Sequence, residues 1–81
     1  MGKSRDRAAT LLEKYGNAIL RTAYSYLHNM EDAEDILQDT LIQYLKSDSE
    51  YNDEEHEKAW LLRVAINLSK NKVKYNKVRE T

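Results

Sequence analysis

Apolar residues recur at helical spacing in three stretches of the chain, separated by two polar breaks. Between Arg5 and Leu27, at 100° per residue, Ala8, Leu11, Leu12, Tyr15, Ile19, Ala23 and Tyr26 fall on one face of a helix. Gly16 interrupts that helix and predicts a kink or a close approach by a neighbouring element. In the following "HNMEDAED", Asn29 suits an N-cap, and Glu31 and Asp32 sit in the first turn, where the helix dipole favours acids. A second helix then runs from residue 30 to about Lys46, with Ala33, Ile36, Leu37, Leu41 and Tyr44 turned inward. The stretch "SDSEYNDEEH" has no apolar period and reads as a loop. Asp53 suits the cap of a third helix, from residue 54 to about Lys77. No internal repeat or boundary interrupts residues 1–81, so the pattern predicts a single all-α domain, a compact bundle of three helices.

Composition narrows the class without changing that picture. A domain of 81 residues buries only about 60–65% of the surface its unfolded chain exposes. Its 41% hydrophobic content still permits a modest core, and two Gly with no Pro favour helices. No apolar run approaches the roughly 20 residues needed to span a bilayer. No secretory pattern opens the chain, and cysteine is absent, which excludes disulfides and thiolate metal sites; a cytoplasmic protein is the expectation.

Charge changes the picture more. Residues 1–28 hold five basic and two acidic groups, residues 29–57 one and eleven, and residues 58–81 seven and one. The formal net charge of −1 therefore hides segments of +3, −10 and +6. Such separation predicts two partners of opposite character, or one surface pairing with the other.

Within the third helix, Asn67, Lys70, Lys74 and Lys77 fall within about 40° of Arg63. Leu61, Val64, Ala65 and Leu68 flank this strip on one side and Leu62, Ile66 and Val73 on the other, with Trp60 at the seam between strip and core. Lys and Arg so spaced meet phosphates, while Asn67 and Asn71 are suited to base edges or backbone. The same pattern also describes a solvated basic face with a core Trp. On the second helix, Glu31, Gln38, Asp39 and Ile42 lie within about 60° of Asp35. That places an apolar Ile42 within an acidic rim, either a protein-docking patch or an acidic face with one ordinary exposed Ile.

Three segments, "EKYGNAILRTAYSYL", "EDAEDILQDTLIQYL" and "EEHEKAWLLRVAINLSKNKV", resemble in order and spacing region 2 of the bacterial sigma-70 factors, and in particular their extracytoplasmic-function class. The resemblance covers about Leu11 to Lys77. It implies a domain that docks on RNA polymerase core and helps recognise and open the promoter −10 element. "DAEDILQDT" matches the helix that binds the clamp helices of the polymerase β′ subunit. Asp35, Gln38 and Asp39, with Glu34 nearby and Ile42 among them, take its exposed positions, where carboxylates would pair with arginines. "WLLRVAINLSKN" matches the helix that meets the non-template strand of the −10 element. It implies nucleic-acid contacts from Arg63, Asn67, Lys70, Asn71, Lys74 and Lys77, with Trp60 contributing or serving the core. The loop from about Ser47 to Glu55 matches the place where members hold a flipped-out base.

Family members often carry Arg at the position of Ile66, Asp at that of Asn71 and an aromatic at that of Leu41, so the base preference does not carry over. The acidic loop, with Asp48, Glu50, Asp53, Glu54 and Glu55, would repel phosphates and direct DNA along the third helix. A complete member continues into a second helical domain, region 4, whose helix-turn-helix reads the −35 element. This chain ends at Thr81, which suggests a fragment more than a natural stand-alone domain.

Other chemistry fails on its own spacing. "HEKAW" has Trp60 where a zincin needs its second His. "DSEYNDEEHEKA" has Asp53 and Ala59 where a calcium loop needs Gly and a bidentate Glu. The sequon at Asn67 lies mid-helix. No nucleophile set or phosphate loop is visible; His28 and His56 read as surface residues, and neither enzyme activity nor a cofactor is expected. Two classes remain. One is a transcription initiation domain joining polymerase to promoter DNA, whose surfaces an anti-sigma factor would occlude. The other is a stand-alone helical protein-interaction module without specific DNA recognition. Neither class needs membrane insertion.

Overall fold

The computed structural model describes the backbone of residues 5–47 and 53–80, and the side chains of residues 9–47, 53 and 55–77. It consists of three helices: α1 (Arg5–Leu27), α2 (Met30–Lys46) and α3 (Glu54–Glu80). The expected bounds of α1 and α2 hold, while α3 runs three residues beyond the expected Lys77.

Local chemistry sets the ends. At the close of α1, His28 adopts φ 54, a left-handed conformation that turns the chain out of the helix, and its N–H donates to the Tyr24 carbonyl at 2.8 Å. Asn29 follows in extended geometry, and its side-chain oxygen accepts from the Asp32 N–H at 3.0 Å. Two residues thus join α1 to α2, a length that makes them antiparallel neighbours. Ser47 ends α2 in extended geometry, with its N–H shared between the Gln43 and Tyr44 carbonyls. Asp53 caps α3 as expected, its Oδ1 accepting from the Glu55 N–H at 2.8 Å.

The core is built from three rows of residues four apart. They are Leu11, Tyr15, Ile19 and Ala23 on α1; Ile36, Thr40 and Tyr44, with Ala33 alongside, on α2; and Glu57, Leu61, Ala65 and Ser69 on α3. Such rows advance about 40° with each step, so they slant across the helix as packing ridges. That slant corrects two expectations drawn from a straight stripe. Leu12 and Tyr26 each sit about 90° off the ridge line at their own height, on opposite sides. They are accordingly exposed, at 46% and 37%. Leu37 and Leu41 pack against the core from half-buried positions, as does Leu68. Ala8 lies outside the described side chains.

Gly16 does not break α1, which is continuous through it. Nor does a neighbouring helix approach it closely. Among the described residues, a Cβ built there would meet only Leu12 within 4 Å, Cδ1 at 3.1 Å and Cγ at 3.7 Å. At its far end, α3 returns to the start of α2, where Asn76 Nδ2 donates to Asp32 Oδ2 at 3.4 Å. With 27 residues, α3 is the longest rod and accounts for most of the 45 Å length of a body 20 Å across.

Candidate protein and nucleic-acid interfaces

Because Ile36, Thr40 and Tyr44 turn α2 inward, the opposite arc is presented outward. Glu31, Glu34, Asp35, Gln38 and Asp39 are all exposed there, and Ile42 stands among them with 40% of its surface accessible. This is a short apolar centre within a rim of carboxylates and one amide. It can accept hydrogen bonds from cationic side chains, which are the stronger charge-assisted kind, around a single hydrophobic contact.

The ridge of α3 places Leu61, Ala65 and Ser69 against the other two helices. Arg63, Asn67, Lys70, Asn71, Lys74 and Lys77 are therefore all exposed. From Arg63 to Lys77 they form one line about 21 Å long. Half-buried Trp60 and Val64 border it on one side, and half-buried Leu62, Ile66 and Val73 on the other. Leu61 and Ala65, expected in a flank, are fully enclosed. Lys72, diametrically opposite Arg63 on the helix, is half-buried and does not belong to the line.

Trp60 stands between core and surface, half-buried. Its ring packs against the core and meets the Tyr44 ring edge to face, with centroids 5.8 Å apart and planes at 71°. It also lines an open concavity of about 290 Å³ with His56, Ala59 and Arg63, at the start of the cationic line. The sequence reading left His56 and Ala59 out of any site. Their angles within about 40° of Arg63 were the available signal. An exposed imidazole, an indole face and a guanidinium around one hollow can stack on a flat ring and bond an anionic or carbonyl oxygen.

Tyr44, against which Trp60 packs, is held by a group that sequence reasoning missed. Glu57 is 3% exposed, and its Oε2 accepts a 2.7 Å hydrogen bond from the Tyr44 hydroxyl. The bond joins the first turns of α3 to the last turn of α2. The loop expected to hold a flipped base falls largely on residues 48–52, including Asp48 and Glu50, which lie outside the described residues. Asp53 and Glu55, at its end, are exposed.

Among the described residues no cluster of three or more His, Asp or Glu side chains is arranged to hold a metal ion, and no helix is long and apolar enough to cross a membrane. Comparison of the chain with curated proteins and with solved structures gives no match. A family model does match, covering residues 11–79 and hence all three helices. The chain belongs to that family, Sigma-70 region 2, whose members bind RNA polymerase and recognise the promoter −10 element.

Proposed function

We propose that this chain is the region 2 domain of an extracytoplasmic-function sigma factor, acting in the cytoplasm, with its two tasks divided between α2 and α3. Asp35, Gln38 and Asp39, with Glu34 beside them, receive arginines of the β′ clamp helices, and Ile42 adds one apolar contact among them. Arg63, Lys70, Lys74 and Lys77 hold the phosphates of the non-template strand at the −10 element. Asn67 and Asn71 meet base edges or sugars, and Trp60 offers a stacking face to an unpaired base. A strand held this way stays separated from its complement, because phosphate contacts and stacking replace what base pairing and base stacking supplied.

The observation that carries this reading is the placement of carboxylates and cations. They lie on different helices, each set exposed on the arc opposite its own helix's core ridge. Acids beside the cationic line would repel the same phosphates that the cations attract. Segregation lets one small body bind a basic protein surface and an anionic strand together. An anti-sigma factor would act by covering either arc.

The direct test is charge reversal of α2, Asp35→Arg with Asp39→Arg, assayed by co-purification with core RNA polymerase. Each charge-assisted bond contributes about 1.5–3 kcal/mol, so affinity should fall by more than about 100-fold. Both residues are exposed, so helicity should be unchanged. Undiminished polymerase binding by the folded variant would defeat the assignment of this face.

A further inference from the structure

Glu57 stands in a ridge whose other members are Leu61, Ala65 and Ser69, enclosed between helices. An apolar side chain there would pack without the cost of removing a carboxylate from water. What a carboxylate adds is direction. Apolar packing tolerates rotation of a neighbouring ring, whereas a short hydrogen bond fixes the hydroxyl it accepts. The Tyr44 hydroxyl donates to Glu57 at 2.7 Å, and the edge-to-face contact of the same Tyr44 ring bears on Trp60, three residues after Glu57. Trp60 in turn forms a wall of the concavity shared with His56, Ala59 and Arg63.

We infer that Glu57 is a positioning residue: through Tyr44 it holds the Trp60 ring at the angle at which the concavity beside Arg63 can receive an unpaired nucleobase. The chain of contacts is continuous. The carboxylate orients the phenol, the phenol ring meets the indole at a steep angle, and the indole lines the hollow at the start of the cationic line. Because Tyr44 belongs to α2 and Trp60 to α3, the same contacts tie the helix bearing the acidic patch to the helix bearing the cations. The inference rests on the reading of α3 as the DNA-binding helix, and the experiment separates the two.

Trp60 is the only tryptophan in the chain, so its fluorescence reports on this ring alone. Tyr44→Phe removes one oxygen and keeps the ring; Glu57→Met keeps bulk and removes the acceptor; Glu57→Gln keeps an oxygen that can accept. Without DNA, Tyr44→Phe and Glu57→Met should each red-shift Trp60 emission and raise its quenching by acrylamide, while Glu57→Gln stays near the wild type. With the chain assembled on core RNA polymerase, binding of a mixed-sequence single-stranded DNA dodecamer should weaken about three- to tenfold in the first two variants and less than about twofold in Glu57→Gln. Trp60 emission and quenching unchanged in Tyr44→Phe and Glu57→Met, with only their melting midpoints lowered, would leave Glu57 a structural residue and overturn the positioning role. Wild-type dodecamer binding by Trp60→Ala would instead overturn the stacking role of the concavity, whatever the fluorescence of the other variants.

Discussion

Replacing Gly16 by alanine isolates one question about α1: whether the glycine is there for a neighbouring helix. A glycine inside a helix costs about 1 kcal/mol relative to alanine, through the freedom it has in the unfolded chain. Against that gain stands one contact, the new Cβ at 3.1 Å from Leu12 Cδ1. Leu12 is 46% exposed, so the end of its side chain can retreat into solvent by the few tenths of an ångström required. Such a shift costs a fraction of a full off-rotamer penalty, less than about 0.5 kcal/mol. The net expectation is stabilisation by about 0.5–1 kcal/mol. For a domain of this size that is a rise of about 3–7 °C in melting midpoint, read by far-ultraviolet circular dichroism and repeated in urea. Adding Leu12→Ala should remove the residual clash and leave the Cβ gain at position 16 unopposed. A lowered midpoint in both the single substitution and the Leu12→Ala background would mean that α2 or α3 needs the bare backbone at Gly16, and the reasoning would be wrong.

Ser69→Ala should stabilise the fold by about 1 kcal/mol, since the Ser69 hydroxyl is fully buried and has no hydrogen-bond partner among the described residues; thermal denaturation decides it, and a loss of stability would indicate an enclosed water or partner. Asn29→Ala should cost about 1 kcal/mol by leaving the Asp32 N–H uncapped, visible as a reduced urea midpoint at unchanged slope. Replacing Lys70 and Lys74 by alanine should lower the slope of log affinity against log salt by about 1.4, at about 0.7 per phosphate contact on single strands. A titration of single-stranded DNA on the polymerase-bound chain between low and moderate salt measures that slope, and an unchanged one would remove both lysines from the phosphate path.

What could be read in advance divides along a physical line. Caps are local, set by one side chain and the backbone two or three residues away, and Asn29 and Asp53 were legible for that reason. The outward arcs of α2 and α3 were legible because charged side chains rarely enter a core unpaired. Glu57 broke that rule. Its partner Tyr44 is 13 residues away on another helix, a relation that no helical period contains. Thr40 escaped notice differently: its hydroxyl bonds the Ile36 carbonyl of its own helix at 2.7 Å, which lets a polar residue occupy a ridge position. Leu12 and Tyr26 fall inside a straight apolar stripe but outside the slanted ridge that the packed helix buries. The hollow at His56 is lined by α3 residues that share one arc, which a helical period contains, but the packing of its Trp60 wall on Tyr44 of α2 is a relation between helices that no period contains.

The polar members of the ridges bear on how the domain behaves alone and in company. Among the described residues, nine buried side chains are hydrophobic and three, Thr40, Glu57 and Ser69, are polar. An interior so composed leaves little reserve of stability for a chain of 81 residues. Any companion that grips the folded form adds its own free energy to that reserve, about 2.7 kcal/mol when present at a hundred times its dissociation constant. In melting temperature this is a rise of about 10–20 °C. Docking on a large assembly would thus act as scaffolding for the bundle as well as recruitment, and the heat resistance of the small domain would report how much of it is engaged.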